Sequence, residues 1–288
     1  MTAPYPSHPE QDRAPLPQDG YVSPVPERRA HLGDAVVAEW TKIRSLRSTM
    51  WSLGGMVLLV LGTGVLVAWG VAATSGPRTE ELRPGGTAVS FGLFGVLLGG
   101  MCVITLGVMT FSGEFSTGLI RTTLTACPSR ARVLAAKAAV YFTLVFTLML
   151  ALTLVVGVLQ LVILDAVSPS TGQWVSATVG VSLYMALLGV LSQALGVLVK
   201  HGAGAITAML GVVLLPLVMA MFLSSSLPGV SGALLRYSIP SQLASFYPGL
   251  GSFGDGGGPT GWVSLWILLG VTALGLAGAY AALDRRDT

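Results

Sequence analysis

Six long apolar stretches, separated by polar or charged segments, dominate the hydrophobic pattern of this chain. Each is 21 to 27 residues long, and no Asp, Glu, Lys or Arg lies within them. About 20 apolar residues in a helix cross about 30 Å of hydrocarbon, and backbone groups in lipid must be hydrogen-bonded within the segment. The pattern therefore predicts an all-α membrane protein with six transmembrane helices. The predicted spans are residues 51–73, 88–111, 138–164, 175–199, 203–223 and 262–283.

The segment before the first span, residues 32–47, has an amphipathic pattern. Its apolar residues recur at helical spacing and its charged residues fall elsewhere; the apolar set is Leu32, Val36, Trp40 and Ile43, and the charged set is Asp34, Glu39, Lys42 and Arg44. An apolar stripe with a Trp and a basic flank is typical of a helix in the membrane interface. We therefore predict an interfacial helix that contacts anionic lipid. A solvated segment leading into the first span is the alternative.

Two other segments depart from the span pattern. Residues 1–31 form a proline-rich stretch, with seven of the sixteen prolines, which predicts a disordered cytoplasmic tail before a membrane domain over residues 32–288. Residues 224–261, between the fifth and sixth spans, are too apolar for an ordinary loop and too interrupted by Gly and Pro to cross. They predict short re-entrant helices on the outer side.

The distribution of basic residues predicts the orientation of the spans. Thirteen of the sixteen Lys and Arg residues lie before the first span, in the even-numbered loops or after the last span, and three lie in the remaining loops. Cytoplasmic segments carry the excess of basic residues, so both termini are predicted to be cytoplasmic. The net charge of +3 is explained by this asymmetry and does not indicate a nucleic-acid partner.

The sequence lacks the motifs of several enzyme classes. None of its three lysines follows a glycine, so the phosphate-binding loop G-x-x-x-x-G-K-[ST] is absent. Three scattered histidines and two cysteines make no metal site. A G-x-S-G pattern around Ser231 has no histidine on the same predicted side to serve as its base. We expect no enzymatic activity, no metal and no cofactor.

Gly95 and Gly99 lie four residues apart in the second span. This spacing lets another helix backbone approach closely. The partner helix can belong to the same subunit or to a second one.

The polar segment between the second and third spans, residues 112–132, is the richest in candidate functional residues. Glu114 comes just after the predicted span and seven residues before Arg121, and Pro128 precedes the basic start of the third span. A short helix over residues 114–125 would lie across the base of the bundle, where another protein could push it.

Three segments resemble one protein family in the order in which they occur. They are similar to segments of the type-two permeases of ABC exporters, above all the actinobacterial ones. The first segment is Glu39-Trp40-Thr41-Lys42 with Arg44-Ser45-Leu46-Arg47. The second runs from Glu114 to Lys137 and includes Thr117-Gly118, Ile120-Arg121 and Pro128-x-Arg130, and the third is Arg236-Tyr237-Ser238-Ile239-Pro240-Ser241. The resemblance covers residues 33–284. Cys127 and Ser129 flank Pro128 where small or basic residues are expected.

The resemblance implies a membrane-spanning permease subunit in a bacterial plasma membrane. Such a subunit pairs with a second permease copy, identical or not, and is driven by separate ATP-binding-cassette ATPase subunits. The implied ATPase-coupling residues are Glu114, Gly118, Arg121, Pro128 and Arg130, with Glu39, Trp40 and Lys42 on the interfacial helix beside them.

The composition of the spans indicates only the chemical class of the transported substrate. An apolar pathway without buried charges favours a hydrophobic or amphipathic substrate, and export follows from the resemblance alone. The alternative function is a secondary transporter or channel not driven by ATP. Because ion coupling usually places ionisable residues inside the spans, the charge-free stretches favour the ATP-driven function.

Overall fold

The computed structural model describes residues 31–74, 88–119, 123, 129–247, 249–250 and 258–285. Every regular element within these residues is a helix, and six helices are long and apolar enough to cross a membrane. The prediction of an all-α protein with six spans is confirmed. The predicted tail lies outside the described residues, apart from His31.

Nine helices follow one another along the described residues. They are α1 (Leu32–Ser45), α2 (Arg47–Ala73), α3 (Ala88–Thr117), α4 (Arg130–Leu164), α5 (Thr171–Val199), α6 (Gly202–Leu223), α7 (Pro228–Tyr237), α8 (Ile239–Ala244) and α9 (Trp262–Arg285). The spans are α2, α3, α4, α5, α6 and α9. We call the end where α3 finishes and α4 begins the charged end. The other end of the bundle is called the opposite end.

The span helices are longer than the apolar stretches that predicted them. Helix α2 begins at Arg47, α3 continues to Thr117 and α4 begins at Arg130. Helix α3 ends where Gly118 adopts a left-handed conformation with φ of 72°, which glycine accommodates without a Cβ clash. The helices therefore include Glu114 and Lys137. The sequence predicted both residues to lie outside the apolar stretches, and in the structure both belong to the continuous helices that contain those stretches.

Helices α3 and α5 form the centre of the bundle, with their backbones in close contact. A Cβ atom on Gly107 would lie 2.6 Å from the carbonyl oxygen of Gly189. The hydroxyl of Tyr141, which is fully buried, donates a hydrogen bond of 2.5 Å to the carbonyl oxygen of Val103. Small residues on α3 and α5, with a tyrosine from α4 beside them, thus set the distance between the central helices.

Gly95 and Gly99 lie in the contact between α3 and α2. A Cβ atom on Gly95 would lie 2.7 Å from the carbonyl oxygen of Val60, and one on Gly99 would lie 2.5 Å from a methyl group of the same valine. Both glycines therefore allow close approach of two helices of this chain.

The short helices predicted between the fifth and sixth spans are present as α7 and α8, at the opposite end. Pro228 and Pro240 lie in their first turns, where a missing backbone N–H costs no helical hydrogen bond. The hydroxyl of Ser231 donates to the carbonyl oxygen of Ala220 at 2.7 Å. This serine thus ties α7 to α6. That α7 and α8 enter the outer leaflet stays a prediction.

Candidate functional site

Four charged side chains from three helices meet at the charged end of the bundle. Glu39 and Lys42 come from α1, Glu114 from the last turn of α3, and Lys137 from the second turn of α4. The Lys137 ammonium lies 2.7 Å from Glu39 Oε2 and 2.8 Å from Glu114 Oε1. The Lys42 ammonium lies 3.1 Å from Glu39 Oε1 and 2.5 Å from Glu114 Oε1. We call this group the four-charge cluster.

The four-charge cluster is largely removed from solvent. The exposed fraction of the side chain is 3% for Lys137, 8% for Glu114 and 11% for Glu39. Burying a single charge in this way would cost several kcal/mol, so buried charges persist where opposite charges compensate them. The two ammonium groups and the two carboxylates give the four-charge cluster a net charge of zero. Lys137 also lies over the ring of Phe111, with its ammonium 5.2 Å from the ring centroid, a favourable cation–π position.

Lys42 is the most accessible member, with 35% of its side chain exposed. Burial by itself lowers the pKa of its ammonium, but the hydrogen bond from Lys42 to Glu114 and the charges of Glu114 and Glu39 outweigh that effect. The pKa of Lys42 consequently lies above its ordinary value of 10.5. The group stays positively charged at physiological pH.

One oxygen of the four-charge cluster is unused. Glu114 Oε2 is buried and has no hydrogen-bond partner among the described residues. A buried carboxylate oxygen without a donor costs free energy. Glu114 is thus held through Oε1 alone, which accepts from both lysines.

The orientation of α1 differs from the predicted one. Glu39 and Ile43 are its buried residues, whereas Trp40 and Leu32 are 44% and 50% exposed. The apolar stripe that was expected to mark one face of the helix is therefore divided. Because Glu39 pairs with Lys137, the face that packs on α4 carries a carboxylate. The exposed Trp40 is available to the membrane interface.

A second contact at the charged end joins α4 to the last span. The Arg130 guanidinium donates to the carbonyl oxygen of Leu283 and, at 3.1 Å, to that of Asp284. The final carbonyl groups of a helix lack partners within the helix, and a cation near them is stabilising. Arg130 therefore caps the carboxyl end of α9.

A third contact links the end of α3 to the junction of α5 and α6. The Lys200 ammonium lies 5.1 Å from the centroid of the Phe115 ring. Phe115 directly follows Glu114 in sequence. Lys200 itself ends α5 in a left-handed conformation with φ of 57°. The last turn of α3 thus contacts α1, α4 and this junction.

The predicted site residues fall into three groups. Glu39, Lys42 and Glu114 meet in the four-charge cluster; Trp40, Gly118 and Arg130 lie elsewhere at the charged end; and Arg121 and Pro128 lie outside the described residues. The helix predicted over residues 114–125 is wrong in its first turn, because residues 114–117 belong to α3.

Lys137 is the member of the four-charge cluster that the sequence did not predict as a site residue. It directly precedes the apolar stretch of the third span, and it entered the sequence analysis only as a basic residue and as the last residue of the segment from Glu114 to Lys137. Its signal was present, since the two turns before the stretch, with Leu134 and Ala136, are apolar enough to continue the helix inward.

The two glutamines of the spans make hydrogen bonds between helices. Gln160 Nε2 donates to the carbonyl oxygen of Gly64 at 3.2 Å, and Gln193 Nε2 donates to Thr110 Oγ1 at 3.1 Å. The first bond joins α4 to α2, and the second joins α5 to α3.

Comparison with known proteins assigns no family. No protein-family model matches the sequence, and no curated protein matches it either.

Proposed function

We propose that this chain is the membrane-spanning permease subunit of an ATP-driven exporter in a bacterial plasma membrane. A separate ATP-binding-cassette subunit would supply the energy, and a second permease copy would complete the pathway for a hydrophobic or amphipathic substrate. The observation that carries the proposal is the four-charge cluster, which joins α1, α3 and α4 directly beside the segment between α3 and α4.

The geometry of the cluster suits the transmission of a mechanical displacement. The ion pairs of Lys137 with Glu39 and Glu114 connect helices across 98 and 23 residues of sequence. Short ion pairs in a poorly hydrated site are strong, and they depend steeply on distance. A push on the segment after Gly118 would therefore move the three helices together rather than bend one of them.

Two further contacts extend this unit across the charged end. Arg130 ties the start of α4 to the end of α9, and Phe115 meets Lys200 at the junction of α5 and α6. A displacement at the base would thus reach most of the spans. Rigid-body movement of such a half-transporter is one way in which a pathway opens alternately to the two sides.

The charge distribution supports a cytoplasmic location for this end. The basic residues concentrate in the segments that connect here, in accordance with the positive-inside rule. ATP and its hydrolysing subunits are cytoplasmic. Because the chain has no phosphate-binding loop of its own, that energy would come from another chain.

A proton-driven secondary transporter is the second candidate, and one observation favours it. Glu114 and Lys137 are buried ionisable residues within spanning helices, which often mark proton or ion pathways. Lys137 lies about 10 Å along α4 from Arg130 at 1.5 Å per residue. The cluster is thus near one end of the bundle, whereas coupling sites commonly lie at mid-membrane. This position favours the ATP-driven function.

Reconstitution in liposomes separates the two candidates. The chain is reconstituted with a candidate ATP-binding-cassette subunit from the same organism, and export of a fluorescent amphipathic probe is followed. We expect transport with ATP and no proton gradient, and none with an ATPase subunit that cannot hydrolyse ATP. Transport by this chain alone, driven by a proton gradient, would refute the proposal and establish the second candidate.

A further inference from the structure

A small cavity lies inside the bundle near the opposite end, between α3, α4 and α5 and the residues that follow α8. Its volume is about 10 Å³. Its polar lining comes from Gln160 and Thr153 of α4 and from Tyr247, and its floor includes Gly92 of α3. The lining is otherwise apolar.

A buried acceptor faces this cavity. Gln160 is fully buried, and while its Nε2 binds α2, its Oε1 has no hydrogen-bond partner among the described residues. Gln160 Oε1 and the Tyr247 hydroxyl lie 3.7 Å and 3.6 Å from the position that a Cβ atom on Gly92 would occupy. The acceptor and the hydroxyl group therefore approach the same point in space.

We propose that this cavity is a binding site for one water molecule, which donates to Gln160 Oε1 and bonds the Tyr247 hydroxyl. A cavity of roughly 10–15 Å³ on this measure holds one water, and a buried water needs two to four polar partners. Gln160 and Tyr247 supply two, and Thr153 also lines the cavity. A solute larger than water does not fit.

The water would connect parts of the chain that are far apart in sequence. Gln160 already holds α2 through the carbonyl oxygen of Gly64, and Tyr247 belongs to the segment after α8. One water between them would join α2, α4 and that segment in a single hydrogen-bonded junction. This inference depends on the fold alone and does not require the proposed transport function.

The substitution Gly92→Ala tests for the water without a steric clash. The added methyl group would make ordinary contacts of 3.6 to 3.7 Å but would occupy the water position. If the cavity holds no water, the methyl group fills a void and alanine favours the helix, so the variant gains stability. If the cavity holds water, the methyl group expels it and leaves Gln160 Oε1 unpaired.

A double-mutant cycle on the full-length protein distinguishes these outcomes. Gly92→Ala is measured by thermal unfolding in the wild type and in a Gln160→Met background, where no acceptor needs the water. We expect Gly92→Ala to be less favourable in the wild type by about 2–8 °C in Tm, because an unpaired buried acceptor is costly. Gly62→Ala is the matched control, since its methyl group meets open space and should act equally in both backgrounds.

A second background and a direct observation complete the test. Gln160→Leu, which also removes the acceptor, replaces Gln160→Met if the latter fails to fold. An ordered density peak within about 3 Å of Gln160 Oε1 in a high-resolution map would support the proposal. Equal Tm gains from Gly92→Ala in both backgrounds, or a map of that quality without the peak, would overturn it.

Discussion

Replacing Lys137 with methionine removes the most buried cation of the four-charge cluster while keeping its apolar stem. The substitution deletes the ion pairs of 2.7 Å to Glu39 and 2.8 Å to Glu114. Both carboxylates would then share Lys42, which is 35% exposed. The cluster would carry a net negative charge in a site that water reaches poorly.

The magnitude follows from the burial of the partners. Removing one member of a buried ion pair typically costs about 3–5 kcal/mol. At about 2–4 °C per kcal/mol for a large domain, we expect Lys137→Met to lower the apparent Tm by roughly 6–20 °C. The loss has this size because Glu39 and Glu114 stay buried, with the same cost of desolvation, but no longer have their ion pairs with Lys137.

Thermal unfolding in detergent, followed by the fraction of monodisperse protein after heating, measures this effect. Lys200→Met is the matched control, because its ammonium lies over a ring at the same end, a contact worth about 0.5–1 kcal/mol at exposed sites. Lys42→Met should fall between them, since solvent screening weakens its pairs.

A compensating substitution tests the charge argument itself. Combining Lys137→Met with Glu114→Gln removes one charge of each sign and leaves Glu39 paired with Lys42. We expect the double variant to recover at least half of the lost Tm. A Lys137→Met protein within about 2 °C of the wild type, or a double variant that is less stable than either single one, would refute the role of the cluster.

Three other predictions concern the effect of pH, the contact between α4 and the last span, and the contact between α2 and α3. The pKa of Lys42 is raised in the folded state, so its contribution to stability is complete below pH 10.5 and is lost as pH rises through the folded pKa. We therefore expect Tm to fall more steeply at high pH in the wild type than in Lys42→Met. Arg130→Met should lower Tm by about 2–8 °C, because it uncaps α9 at a cost of about 1–2 kcal/mol; an unchanged Tm and unchanged protease resistance of the carboxyl terminus would contradict this. Gly95→Ala should destabilise by about 1–3 kcal/mol, because its Cβ would lie 2.7 Å from the backbone of Val60, whereas the control Gly62→Ala should not, as measured by thermal unfolding.

The burial of Glu114 changes the expected behaviour of its variants. As a loop residue it could be replaced without loss of abundance. As a buried acceptor for Lys42 and Lys137, it supports the fold as well as any transport function. A transport defect in Glu114→Ala is therefore informative only after correction for the amount of folded protein.

The sequence by itself determined the six spans, the amphipathic helix before them and the short helices before the last span. These features follow from local physical requirements: enough apolar residues to cross hydrocarbon, and Gly or Pro where helices must end. The same reasoning made the helices too short, because it limited each span to its continuous apolar stretch. A helix can include a charged residue close to the membrane region when that residue forms an ion pair with a neighbouring helix.

Only the tertiary structure decided which charges meet. Lys137 pairs with Glu39 across 98 residues and with Glu114 across 23 residues, and no local pattern specifies such partners. The buried position of Glu39 and the capping of α9 by Arg130 likewise depend on helices that are distant in sequence. Hydrophobic periodicity reports which residues avoid water, whereas the pairing of buried charges depends on how the helices are arranged around one another.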